Sequence, residues 1–163
     1  MRIPLTIMAA TVLAATVAAA SADAAKPSLC RPANIQHTLV AAGKLTAQDV
    51  KFGEVVDLVR CGDVTADGRR DAVFTVASGG TAGDTRFGVL SGGRLVLFKQ
   101  GYKVGIARVS RRAFDVIQPH YGRNDPNCCP SSFRIRRYSW TGSRFKVGHA
   151  RKVTNAPRRF YRR

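Results

Sequence analysis

Nine consecutive residues, Asp63-Val64-Thr65-Ala66-Asp67-Gly68-Arg69-Arg70-Asp71, set oxygen-bearing side chains at positions one, three, five and nine, with glycine at the turn. A loop of this kind can wrap a hard cation, because alternate side chains of a curling backbone converge on one centre. Asp63, Thr65, Asp67 and Asp71 are therefore the candidate metal ligands, and the cation they suit is a weakly held calcium ion. Phe74 stands where an EF-hand would place its bidentate glutamate, so an EF-hand is excluded. The adjoining Arg69 and Arg70 also oppose a cation. The alternative is an Asx-rich turn in which Asp63 and Asp67 accept backbone N–H bonds and Asp71 pairs with an arginine.

Cysteine chemistry is confined to Cys30, Cys61 and the adjacent Cys128 and Cys129. Four cysteines permit three pairings. The pairing that ties most of the chain together joins Cys30 and Cys61 each to one member of the late pair; its rival joins Cys30 to Cys61 and closes a ring between Cys128 and Cys129. Cys30 is the first cysteine after an apolar leader, but Lys26-Pro27-Ser28-Leu29 before it is no lipid-attachment signal, so a disulfide is expected there. His37, His120 and His149 show no metal-ligand spacing. A hydrolase-type site would need the fold to bring His120 to Asp115 or Asp125 and a nucleophile. No catalytic residue is assigned, and a non-enzymatic role is expected, with a purely structural envelope role as a further alternative.

Binding chemistry concentrates late in the chain. Strict alternation from Phe133 puts Phe133 and Ile135 on one face of a strand and Arg134, Arg136, Tyr138 and Trp140 on the other. Exposed, that second face would stack rings and contact phosphate or sugar. A bulge near Arg136, or burial on both faces, would instead send Tyr138 and Trp140 into the core. The loop before the strand could add Tyr121 and Arg123 to the same recognition surface.

Composition sets the sign of the partner. The formal net charge is +17, and 20 of the 27 basic residues are arginines. Eleven Lys or Arg and no acidic residue occupy positions 126–163. An anionic polymer or an acidic protein surface is the expected partner, and nucleic acid would bind such a charge in vitro.

These groups must be positioned by short elements. Positions 32–42 read as a helix with proline in its first turn, Ile35 and Leu39 on one face, and Gly43 as its stop. Thr46 and Asp49 form a capping pair for a second helical turn reaching Lys51. Strands are predicted over 55–60, 72–77, 86–90, 95–99, 104–109, 113–118, 133–140 and 145–149, with hairpin turns at Ser91-Gly92-Gly93 and Thr141-Gly142-Ser143. The expected fold is α+β: an N-terminal helix packed on a twisted, mainly antiparallel β-sheet, disulfide-stapled.

Arg2, the apolar run 3–20 and the small-x-small sites Ala20-Ser21-Ala22 and Ala22-Asp23-Ala24 read as a secretory signal over 1–24, cleaved after Ala24. One α+β domain over 25–154 and a basic, flexible tail over 155–163 complete the expected organisation. The mature chain has no second long apolar run for a transmembrane segment, and it is expected to be a secreted or envelope-associated monomer.

Two resemblances accompany these readings. The aspartate loop resembles the Asp-x-Asn-x-Asp-Gly-x-x-Asp loops between strands of integrin-type extracellular repeats, over nine residues and in a single copy. The segment Arg60-Cys61-Gly62-Asp63-Val64-Thr65-Ala66-Asp67-Gly68, with Tyr121 and Asp125-Pro126-Asn127-Cys128-Cys129-Pro130-Ser131 before a basic aromatic strand, resembles actinobacterial secreted proteins of uncharacterised role. More distantly it is similar to the LppP/LprE-like lipoproteins. That resemblance implies an envelope or secreted location and brings no active site.

Overall fold

The computed structural model describes residues 28–154. The expected signal over 1–24 and basic tail over 155–163 lie outside the described residues.

Helix α1 (Pro32–Ala41) starts on its proline, where the missing N–H leaves no bond unmade, and buries Ile35 and Leu39, one turn apart. It stops where Gly43 takes φ +63°, a left-handed conformation that lets the Lys44 and Leu45 N–H groups return to the Leu39 carbonyl. Helix α2 (Ala47–Lys51) carries the predicted capping box. Asp49 N–H donates to Thr46 Oγ1 at 3.0 Å and Thr46 N–H to Asp49 Oδ2 at 2.8 Å. These bonds hold the Asp49 carboxyl below the ordinary aspartate range.

All strand pairings are antiparallel, and the helix packs against the sheet as expected, with Cys30–Cys61 as a staple. The strands divide into two sheets. Strands β1 (Val56–Gly62), β2 (Asp71–Ala77), β3 (Asp84–Ser91) and β4 (Arg94–Gln100) form the first in chain order. Strands β5 (Gly105–Ser110), β6 (Ala113–His120), β7 (Ser132–Trp140) and β8 (Phe145–Val147) form the second, and β9 (Arg151–Val153) also pairs with β7. The reason lies in strands apolar on both faces. Every residue from Asp71 to Val76 in β2 is buried. Ala72, Phe74 and Val76 face α1 with Ile35, Leu39, Leu45, Val56 and Leu90. Val73 faces the second sheet, in a cluster with Phe87, Val89, Ile106, Phe114, Val116 and Tyr138. A strand with two apolar faces needs a layer on each side, so the order is helix, sheet, sheet. Gly88 sits opposite Phe74 across β2 and β3, and a Cβ there would lie 2.7 Å from the Phe74 ring. That glycine gives the ring its place in the helix-side core.

The pairing of β6 with β7 runs unbroken from Ala113↔Ser139 to His120↔Ser132. Strand β7 therefore has no bulge against β6. Its odd residues Phe133 and Ile135 join Ala107, Ile117 and Val153 in a smaller cluster on the outer face, while of its even residues Tyr138 enters the cluster between the sheets and Arg134 stays exposed. Among the described residues no helix is long and apolar enough to cross a membrane.

Candidate functional site

The disulfides differ from the favoured pairing. Cys30 bonds Cys61, with Cα atoms 6.1 Å apart, and Cys128 bonds its neighbour Cys129. Cys30 precedes α1, which lies on the first sheet, so the nearest partner is Cys61 in β1. The late pair is held elsewhere and has only itself.

The loop from Tyr121 to Ser131 is fixed to the body without sulfur. Asp125 Oδ2 accepts the N–H of Gly122 at 2.6 Å and of Ser131 at 2.7 Å, closing the loop's two ends. The Ser131 and Gly122 bonds depress the Asp125 pKa below the usual carboxylate range. Lys103 supplies the anchor. Its Nζ donates to Tyr121 Oη at 2.8 Å and to the Asn127 carbonyl at 2.6 Å, and lies 5.3 Å from the ring centres of both Tyr102 and Tyr121. Tyr121 Oη donates onward to the Asn127 carbonyl at 2.9 Å. The hydrogen bond to Tyr121, with both phenol oxygens near, raises the Lys103 pKa. Lys103 takes φ +46°, a conformation non-glycine residues rarely hold, and this strain is the cost of aiming the ammonium between the rings.

Beside this loop a cleft of about 610 Å³ opens where the β1 edge meets the start of β5. Leu58, Val59, Val104 and Pro119 give it apolar walls; Arg60, Asp84 and Lys103 bring charge; Tyr121, Cys128 and Pro130 form its outer rim. Sequence reasoning missed Lys103, Tyr102 and Asn127. The available signal was Gly101-Tyr102-Lys103, an aromatic and a cation set on a turn between two strands.

The second feature is the basic sheet. Arg134 is exposed on β7, opposite Lys152 of β9. Its Nη2 lies 3.4 Å from His120 Nε2. A guanidinium only donates, so any hydrogen bond between them runs from Arg134 to the ring. His120 thus contacts the Arg134 guanidinium. Asp115 lies on the opposite face of β6, bound by Arg137 Nε at 2.8 Å and Nη2 at 3.3 Å, with Arg108 Nε at 3.9 Å. Asp125 is held by the loop backbone. Among the described residues no hydrogen bond joins the His120 ring to Asp115 or Asp125. Arg137 is pushed further above its already high pKa by its hydrogen bonds to Asp115.

The arginine–aromatic platform does not form as an exposed face. Tyr138 shares the face of Arg134 and Arg136 but is 8% exposed, stacked on Phe114 at 5.3 Å and edge-on to Phe87 at 5.4 Å. Burial raises its phenol pKa. Trp140 is half-buried against Phe145 at 4.9 Å. Arg136 is half-buried, Arg123 is exposed on the late loop, and Tyr121 is engaged in the Lys103 clamp. The two arginines and the two aromatics are thus separated by the packing of the second sheet on the first.

No protein-family model, curated protein or solved structure matches this chain. Its site is defined by its own geometry.

The aspartate loop is threaded by hydrogen bonds. Thr65 donates its N–H at 2.8 Å and its hydroxyl at 3.0 Å to Asp71 Oδ2, and Asp71 is wholly buried. Asp63 Oδ2 accepts Gly68 N–H at 3.3 Å and lies 3.5 Å from Arg111 Nε; Asp67 Oδ1 accepts Arg69 N–H at 2.9 Å. Asp71 pairs with Thr65 where the turn reading had given it an arginine. Oδ1 of Asp63 and of Asp71 is buried with no hydrogen-bond partner. Among the described residues no three His, Cys, Asp or Glu side chains are grouped to hold a metal ion.

Proposed function

We propose that this is a secreted or cell-envelope-associated, non-enzymatic binding protein whose second sheet engages an anionic polymer. The carrying observation is the segregation of charge between the two sheets. From Gly105 to Val153 there are eleven Lys or Arg and two carboxylates, Asp115 and Asp125. Both carboxylates are already engaged, one by Arg137 and Arg108, the other by backbone N–H groups. The other seven acidic residues of the described chain lie between Asp49 and Asp84, in α2, the first sheet and the loops between them, where they offset most of the ten Lys or Arg of positions 31–103. A domain with one strongly positive side concentrates anions there and orients their approach.

Export is supported by the leader's composition and by the absence of free cysteine in the structure, since stable disulfides belong to oxidising compartments. The resemblance of the segments around Asp63 and Cys128 to actinobacterial secreted proteins and LppP/LprE-like lipoproteins agrees with that location.

The reading is tested by binding to a soluble acidic glycan, duplex DNA, anionic-lipid vesicles and an acidic protein at about 0.15 M salt. Saturable glycan binding is expected. Arg134→Ala and Lys152→Ala should each weaken it and lower the slope of log affinity against log salt by about 1. Absence of any saturable binding would leave a structural envelope role, and unchanged affinity in both variants would remove the second sheet as the surface.

A further inference from the structure

We propose that the Cys128–Cys129 disulfide is a thiol–disulfide exchange site at the rim of the cleft, with a dithiol as its substrate class. The two disulfides of this chain are chemically unlike. Cys30 and Cys61 are half-buried, and Cys30 packs against the helix–sheet core. Cys128 and Cys129 are both exposed, and Cys128 lines the cleft, so a nucleophilic sulfur can reach the bond. Cys30–Cys61 spans a sequence separation of 31, whereas the adjacent pair closes no chain beyond its own small ring. A bond between neighbours restricts the unfolded chain very little, so opening it leaves the fold in place.

The loop also keeps its shape when the bond opens. Asp125 holds Gly122 and Ser131, and Lys103 holds Tyr121 and the Asn127 carbonyl, none of them through sulfur. The two thiols therefore remain side by side, so that once one of them carries a mixed disulfide the other can displace it intramolecularly. Lys103 shares the cleft with Cys128. Arg60 lines the same cleft, as do the carboxylates of Asp57 and Asp84.

The exchange balances without a further reactant. A thiolate of the dithiol attacks one Sγ, the S–S bond breaks, and its electron pair leaves on the other cysteine as thiolate, which takes up a proton. The dithiol's second sulfur, deprotonated, attacks its partner in the mixed disulfide, and the second cysteine leaves and is protonated. Two electrons pass to the protein, and the dithiol becomes a cyclic disulfide.

The intact folded protein is titrated with dithiothreitol, quenched with N-ethylmaleimide and mapped by peptide mass spectrometry, with circular dichroism on the same samples. Cys128 and Cys129 should be alkylated at about tenfold lower reductant than Cys30 and Cys61, with the spectrum unchanged. Opening of both disulfides at the same concentration, opening of Cys30–Cys61 first, or loss of the folded spectrum with the first alkylation would each overturn the proposal.

Discussion

Asp71 shows how one side chain can close a loop and leave part of itself unused. Its Oδ2 takes both donors of Thr65, while its Oδ1, buried, takes none. Asp71→Ala strips the half-buried Thr65 N–H of its acceptor and leaves the Thr65 hydroxyl only Ser91, and should destabilise the fold by about 1–3 kcal/mol, read from the midpoint of urea unfolding. The same geometry bears on calcium. Millimolar calcium is expected to leave the melting temperature unchanged, because the loop oxygens that accept bonds already have backbone or hydroxyl donors. A rise of several degrees would instead put a cation on the unpartnered Oδ1 atoms of Asp63 and Asp71. At this scale the alternation of aspartates was readable in the sequence, as was the Thr46–Asp49 capping box, because each depends on residues a few positions apart. The Thr65–Asp71 bond was not, since the sequence offered arginines as equally near partners.

The elements were largely legible, for a related reason. Helix α1 matched its proline, its apolar spacing and its glycine stop, and the strands fell close to their predicted positions. The strand predicted over 145–149 is the shorter β8, which ends where the Gly148 N–H donates to the Arg137 carbonyl, and β9 beyond it was not predicted. β9 itself, Arg-Lys-Val, has too little alternation to announce a strand. Its place comes from the edge of β7. How the elements are tied together was not legible. The Cys30–Cys61 bond joins the start of α1 to β1 and should supply about 3–4 kcal/mol through loop closure. Replacing both cysteines with serine is expected to remove that amount in guanidinium unfolding. The equivalent change at Cys128 and Cys129 should shift stability by less than about 1 kcal/mol, since no chain loop is released.

At the level of the molecule, the central cluster between the sheets makes them one cooperative unit. Phe87 from the first sheet meets Tyr138 of the second edge-on, and Val73, Ile106, Phe114 and Val116 complete that core. Phe87→Ala should cost about 3–5 kcal/mol. Trp140, the chain's one tryptophan, lies in the second sheet, so its fluorescence and far-UV circular dichroism should still move together in a single transition. Separate transitions would show that the sheets unfold independently. The sequence by itself determined the periodic elements, their turns and caps, and a large excess of positive charge, since all of these rest on neighbours along the chain. Only the tertiary structure decided which cysteines meet, and that Tyr138 lies between two sheets and not beside Arg134 in water. Those outcomes depend on which strand lies against which face, and a strand apolar on both faces does not say what will cover it.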